Sequence, residues 1–280
     1  MKRGPFEAGE RILLIDAKDR RHLVTLSVGG RFHTHAGIVD HDGLIGAPEG
    51  VTISASTGRR LIALRPSLTD VVLKMPRGAQ VIYPKDLGAI VVMADIFPGV
   101  RVLEAGIGSG ALSMALLRGG ASVLGYEIRE DFAERAQLNV AAYLGDDVDY
   151  SIEIRDVYDG IDETNLDRIV LDLPEPWRVV EHAVHALRTG GIFCAYLPTI
   201  NQTAKLRETL AAGPFGMAET VEILRRTWHI EERSVRPDHR MVAHTGFLTI
   251  ARHLVPAPVV QESEEESAAL DEDALAGTLF

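Results

Sequence analysis

Two regimes of hydrophobic and polar patterning divide the 280-residue chain. Through about residue 75 the apolar runs are short and punctuated by glycine, at 11–16, 23–28, 37–39, 43–45 and 51–54, with a Gly29-Gly30 turn after the second. Short runs bounded by turn residues predict strands, so this part reads as a small β-rich domain. From residue 100 the pattern changes to apolar runs alternating with amphipathic stretches. Strands are predicted over 100–104, 122–127, 150–155, 168–172 and 192–197, and helices from Ala111, Glu130, Val179 and Gln202. That alternation predicts an α/β architecture, a mostly parallel sheet covered on both faces. Runs at 219–224 and 245–251 predict a closing antiparallel pair at one sheet edge. The stretch at 255–280, rich in Glu, Ser and Ala, lacks any such period and reads as a disordered tail. The expected organisation is a β-rich domain over 1–75, an α/β domain over 76–254 and a tail over 255–280.

Composition is that of an ordinary globular protein, with 46% hydrophobic and 25% charged residues. The formal charge of −11 argues against a nucleic-acid partner until its distribution is read. Residues 261–280 hold seven acidic and no basic side chains, whereas residues 1–85 hold 13 basic and eight acidic ones. A basic amino-terminal part is compatible with phosphate contact. The first residues lack the apolar core of an export signal, and no apolar run approaches the roughly 18 residues of a bilayer span, so the expected compartment is the cytoplasm, with no membrane partner. The single cysteine, Cys194, lies in an apolar run and reads as a buried hydrophobe with no catalytic role.

Candidate chemistry begins at Val-Leu-Glu-Ala-Gly-Ile-Gly-Ser-Gly, residues 102–110. Gly106, Gly108 and Gly110 would form the first strand-to-helix turn of a doubly wound sheet, where backbone amides approach a ligand most closely. Glycine-rich turns also serve dinucleotides and nucleotides. Here the spacing is Gly-x-Gly-x-Gly, Glu104 precedes it, and no Gly-Lys-Ser/Thr follows, which favours S-adenosyl-L-methionine. Glu127 ends the second strand, where a carboxylate can accept from both ribose hydroxyls. Asp156, with Arg155 before it, ends the third, within reach of an adenine amino group. Acids often punctuate strand ends. Four in succession, Glu104, Glu127, Asp156 and Asp172, favour a rim lined for a cofactor.

After the fourth predicted strand the chain reads Asp172-Leu173-Pro174-Glu175-Pro176-Trp177. A carboxylate in a rigid turn at the reactive end of the cofactor suits attack by adenine N1, which has a free lone pair but becomes cationic on methylation. Asp172 is the catalytic candidate; capping the next helix is the alternative, weakened by the two intervening prolines. Gln80 and Tyr83 precede a helix that would approach cofactor or substrate, and Asp86 there reads as a possible cap. Tyr196 fits a base-contacting role or a core position equally. Between the last two strands, Arg225, Arg226, Arg233, Arg236 and Arg240, with Trp228, form a basic connection suited to RNA, although each arginine alone reads as a solvated charge. His33, His35 and His41 with Asp40 and Asp42 do not make a convincing metal site, and no metal is expected. His182 and His185 read as a solvated helix face.

With Tyr83-Pro84-Lys85-Asp86, the glycine loop, Asp-Leu-Pro-Glu-Pro-Trp, Ala-Tyr-Leu-Pro at 195–198 and His244-Thr245-Gly246-Phe247 in hand, the chain resembles the bacterial and archaeal tRNA (adenine-58-N1)-methyltransferases. The resemblance extends to His33-Thr34-His35-Ala36-Gly37 and Leu44-Ile45-Gly46, and covers nearly everything but the tail. It implies a Rossmann-like class I methyltransferase domain behind a small β domain, a homotetramer, and methylation of a T-loop adenine in tRNA. It also implies that the cofactor is held by the 106–112 loop, including Ser109, Ala111 and Leu112, together with Glu127, Asp156 and Asp172; His244 is a further candidate for substrate contact. Rival readings are a methyltransferase of small molecules or of isoaspartyl protein sites, and a non-catalytic RNA-binding subunit; the retained glycines and Asp172 count against the second.

Overall fold

The computed structural model describes residues 3–78 and 80–255, so the acidic stretch read as a tail lies, but for Val255, outside the described residues. The amino-terminal part is built from β1 (Arg11–Asp16), β2 (Arg21–Thr25), β3 (Arg31–Thr34), β4 (Gly37–Asp40), β5 (Thr52–Ser54) and β6 (Arg60–Leu64). Strands β2, β1, β6 and β5 pair antiparallel in that order, and β3 with β4 makes a separate hairpin. Ile12, Leu14, Val24, Leu61 and Ala63 share one core with Phe6, Val39 and Leu44.

Two expectations for this part are corrected. Leu44 and Ile45 do not form a strand: they follow a 3-10 turn over His41–Gly43, and both their amides donate to the His41 carbonyl, at 2.9 and 3.0 Å. The second strand runs from Arg21 to Thr25 rather than to residue 28, because a turn closed by the Gly30 amide on the Ser27 carbonyl at 2.9 Å begins there. A short helix, α1 (Leu68–Lys74), follows β6. It opens with a capping box in which Ser67 and Asp70 each bond the other's backbone amide.

The larger part continues through α2 (Pro84–Met93), β7 (Arg101–Ala105), α3 (Ala111–Arg118), β8 (Ser122–Glu127), α4 (Glu130–Leu144), β9 (Tyr150–Ile154), β10 (Leu166–Leu171), α5 (Val180–Ala186), β11 (Leu187–Leu197), α6 (Ile200–Ala212), β12 (Phe215–Glu222) and β15 (Phe247–His253). Between the last two, β13 (Trp228–Glu231) and β14 (Ser234–Pro237) pair as a hairpin, so the basic connection is an ordered ribbon rather than an open loop. In space the strands lie in the order β12-β15-β11-β10-β7-β8-β9, and β15 alone runs against its neighbours. Successive residues of a strand face opposite sides. In β11, Cys194 and Tyr196 join the core under α2 and α3, while Phe193, Ala195 and Leu197 join the core under α5 and α6. Both faces are buried, which is why these strands read as continuous apolar runs. Among the described residues no helix is long and apolar enough to cross a membrane.

Strand order reverses between β7 and β10, and such a switch point opens a crevice at the carboxyl ends of the strands. Arg168 of β10, 1% exposed, secures the opposite end of the same strand. Its Nε donates to the Ala94 carbonyl at 2.5 Å and its Nη2 to the Asp95 carbonyl at 3.0 Å and carboxylate at 2.9 Å, pinning the end of α2 to the sheet. Arg168→Ala would leave the buried Ala94 carbonyl without its partner and empty the space of a fully buried side chain. We expect it to lower the unfolding free energy by about 3 kcal/mol, read as a reduced urea midpoint at unchanged slope.

Candidate active site

The chain turns immediately after β7. Gly106, Gly108 and Gly110 have φ of +83°, +55° and +81°, a region side chains resist. At Gly106 there is no space either, since a Cβ would stand 2.2 Å from the Asp172 carbonyl oxygen. Gly110 enters α3 without a side-chain cap, leaving the first amides of that helix to face the crevice. From α4, the buried Asn139 donates to the Ser109 carbonyl at 3.0 Å and the Pro76 carbonyl at 3.1 Å, which fastens the loop from behind.

Carboxylates surround this loop. Glu104 is fully buried, and neither of its oxygens has a hydrogen-bond partner among the described residues. Burial pushes its carboxyl up to about 8, the nearby Ser113, outside full hydrogen-bond geometry, offsets part of the rise, and the charges of Asp172 and Glu127 add to it. The Ser109 hydroxyl is likewise buried without a partner. Glu127, at the end of β8, accepts from the Gly108 amide at 3.2 Å and the Arg129 amide at 3.1 Å, so its carboxylate is aimed along the loop.

Asp172 directly follows β10. Its amide donates to the Ala105 carbonyl at 3.0 Å, and burial raises its carboxyl to about 7. It does not cap the following 3-10 turn, where Glu175 takes the N-cap position. Two cavities share it as a wall. The smaller is lined by Gln80, Val81, Ile82 and the loop residues Gly106, Ile107, Gly108, Ser109, Ala111 and Leu112. The other, about 580 Å³, is lined by residues 80–83, Tyr196, Pro198 and residues 241–245. Gln80, Tyr83, Tyr196 and His244 thus meet in one cleft with Asp172. Tyr196 belongs to the core as well: its ring packs on Gly246, where a Cβ would come within 2.4 Å.

Asp86, read as a possible helix cap, does not cap α2. Its carboxylate accepts from Lys85 Nζ at 2.7 Å, the Thr245 hydroxyl at 2.7 Å and the Tyr196 hydroxyl at 3.3 Å, and α2 has no side-chain cap. His244 closes the rim of the cleft with Nδ1 2.7 Å from the Glu222 carboxylate and Nε2 2.8 Å from the Pro198 carbonyl. Acceptors on both ring nitrogens require a proton on each, and the Glu222 contact raises its pKa accordingly.

Other candidates stand apart. Asp156 accepts from the Tyr158 amide at 2.9 Å and so caps a 3-10 turn, while Arg155 is turned to Asp162, with both terminal nitrogens engaged, and lines neither cavity. Arg225, Arg226, Arg233, Arg236 and Arg240 are exposed on the hairpin and its flanks, with no ion pair among the described residues. His33 lies on β3 and His35 beyond it, while the buried His41 accepts from the Ser27 amide at 3.1 Å. His182 is half-buried with Nε2 3.2 Å from the Tyr158 carbonyl, which corrects its assignment to a solvated face; His185 is exposed. Sequence reasoning missed Asn139, Lys85 and Thr245. The one local signal was an amide on the alanine-rich buried side of α4, beside Ala133 and Ala136.

Two family models match the chain, the tRNA methyltransferase complex GCD14 subunit over residues 60–239 and the TrmI-like N-terminal model over residues 4–53. The tRNA (adenine(57)-N(1)/adenine(58)-N(1))-methyltransferase TrmI of Methanocaldococcus jannaschii is 36% identical over 282 residues, spanning 91% of this chain and 98% of that protein. Among solved structures, a SAM-dependent O-methyltransferase of Thermotoga maritima matches with a TM-score of 0.86 at 34% identity, over 90% of this chain and 96% of the other. The tRNA (m1A58) methyltransferase TrmI of Aquifex aeolicus matches with a TM-score of 0.80 at 31% identity, over 90% of this chain and all of the other. A glycine loop at the switch point, a β-rich amino-terminal part and these similarities agree: the chain belongs to the TrmI family of tRNA methyltransferases, with the class I S-adenosylmethionine-dependent fold.

Proposed function

We propose that the chain transfers a methyl group from S-adenosylmethionine to N1 of adenine 58 in the T-loop of tRNA, in the cytoplasm. One observation carries the reading: Asp172 lines both the glycine-loop pocket and the larger cleft, which puts one acidic residue where donor and acceptor would meet. When bound, S-adenosylmethionine supplies an electrophilic methyl group on a sulfonium. The residues fit it. Ser109 and Glu104 offer buried polar atoms without partners, Glu127 is oriented to accept from ribose hydroxyls, and Gly106 lets the backbone close in where no side chain fits.

Adenine N1 needs no deprotonation before attack, but the product base is cationic. Asp172, accepting from the N6 amino group, holds N1 in line and stabilises the positive charge as it develops. Screening by water is weak at this half-buried position, so the interaction is stronger than it would be in solvent. The base must leave its stack to enter the cleft, at a cost of a few kcal/mol. Phosphate contacts from the unpaired arginines on the hairpin and from the basic amino-terminal part offset that cost. Gln80, Tyr83 and Tyr196 form the walls that receive the base.

The active species in this reading is a homotetramer. Ile230 and Val235 stand directly opposite each other on the hairpin, 71% and 61% exposed, with Trp228 nearby at 58%. A two-stranded ribbon bearing such apolar side chains is not stable alone in water, and a second copy of the chain supplies cover.

Three measurements check these statements. Incubation with unmodified tRNA and labelled cofactor is expected to yield 1-methyladenosine on nucleoside analysis; label passing only to a small alcohol or a peptide would replace this acceptor with another. Because burial lifts Asp172 to about 7, kcat/KM should climb with pH through that value and level off above it. Asp172→Asn should abolish that limb and lower kcat by about 100-fold. By light scattering, the wild type should have the mass of four chains, and Ile230→Glu with Val235→Glu should give a smaller species.

A further inference from the structure

The large cleft has two walls that come from distant parts of the chain, residues 80–83 on one side and residues 241–245 on the other. No strand pairing joins them. The second wall is the returning foot of the hairpin excursion, which leaves the sheet after β12 and re-enters at β15. Its two feet touch each other through the Arg225 amide on the Val242 carbonyl at 3.1 Å and His244 on Glu222 at 2.7 Å, and farther out through the Asp238 amide on the Thr227 carbonyl at 2.9 Å, but none of these contacts reaches the segment that leads into α2. Something else has to hold the excursion at a fixed distance from the segment that leads into α2.

Lys85 occupies that position. Its side chain is only 4% exposed, and its Nζ uses three donors on three partners: the Asp86 carboxylate at 2.7 Å, the Ile223 carbonyl at 2.6 Å and the Thr245 hydroxyl at 2.6 Å. Ile223 is the departing foot of the excursion and Thr245 the returning one. Thr245 in turn donates to Asp86 at 2.7 Å, and Tyr196 reaches the same carboxylate oxygen at 3.3 Å. One ammonium therefore ties both feet to the helix that begins two residues after Ile82.

We propose that Lys85 is a positioning residue for methyl transfer, setting the separation between the two walls of the acceptor cleft without touching cofactor or base. The inference rests on the acceptor reading above. A long flexible stem ending in three donors suits the task because a carbonyl, a hydroxyl and a carboxylate are held at once, and an apolar residue of the same length holds none of them. No hydrogen bond joins the glycine loop to this network, so cutting it is expected to act on the acceptor cleft more than on cofactor affinity.

Removing Lys85 alone leaves the buried Asp86 carboxylate without its cation, and that loss destabilises any protein whatever the residue does in catalysis. The test therefore uses Lys85→Met combined with Asp86→Asn, which removes both charges. Expected are a melting temperature near that of the wild type, cofactor affinity within twofold of it, and kcat on saturating tRNA at least tenfold lower. Thr245→Val cuts the same bridge with no charge stranded, and is expected to lower kcat on tRNA at unchanged cofactor affinity even if the double variant melts early. Wild-type kcat in both variants overturns the proposal, as does a loss of cofactor affinity parallel to the loss of turnover. A wild-type protein that leaves tRNA unmethylated would instead overturn the acceptor reading, which the nucleoside analysis decides independently.

Discussion

The hydrogen bond from the Asp172 amide to the Ala105 carbonyl fixes the geometry on which the site depends. It is the last rung between β7 and β10, the two strands from which the chain winds in opposite directions. Beyond it the strands part, one into the glycine loop and the other into the Asp-Leu-Pro-Glu-Pro-Trp turn. The rung sets the Asp172 backbone so close to residue 106 that only a hydrogen atom fits there. Loop and carboxylate are thus two products of one constraint, and neither has freedom to drift relative to the other.

Buried carboxylates are handled in two ways in this molecule, and the contrast separates scaffold from site. Asp86 is compensated by Lys85 and two hydroxyls, Asp70 by Arg21 and Ser67. Glu104 and Asp172 have no cation beside them, and burial lifts both. A fold that leaves such groups unpaired tolerates an energetic cost, and the place where it does so is where a ligand completes the pairing. The adenosyl sulfonium and the methylated base are cations, the charge that such a place lacks.

Legibility followed the physics of each element. The strand at 122–127 was placed to the residue because both its faces are buried and its ends are marked by Ala121 and the acid Glu127. The apolar pair Leu44-Ile45 misled because it is buried by a turn rather than by a ladder, and composition does not distinguish the two. Helix α1 was missed although Ser67 and Asp70 spell its capping box, since seven residues are too few for a helical period to stand out. Within the site, Asp172, Tyr83 and the glycines were readable because local motifs hold them. The Lys85 bridge was not, because it spans 138 positions to Ile223 and 160 to Thr245, distances over which a single sequence carries no signal. The pairing of Arg155 with Asp162 was unreadable for the same reason, since that partner is supplied by a loop whose path the sequence leaves open.

The antiparallel strand β15 has a consequence for how the molecule comes into being. It lies between β11 and β12, which share no strand pairing without it, and among the described residues it is the last strand to be synthesised. A nascent chain emerging from the ribosome can close the glycine loop and order Asp172 well before then, since β7 to β11 are already present. The edge of β11 meanwhile stands open, and β12 has no strand to pair with. Only when residues 247–253 slot in does Thr245 come to its place and the second wall rise opposite the first. In the finished sheet the second wall is thus anchored by a strand that the chain supplies after every element bearing the glycine loop and Asp172.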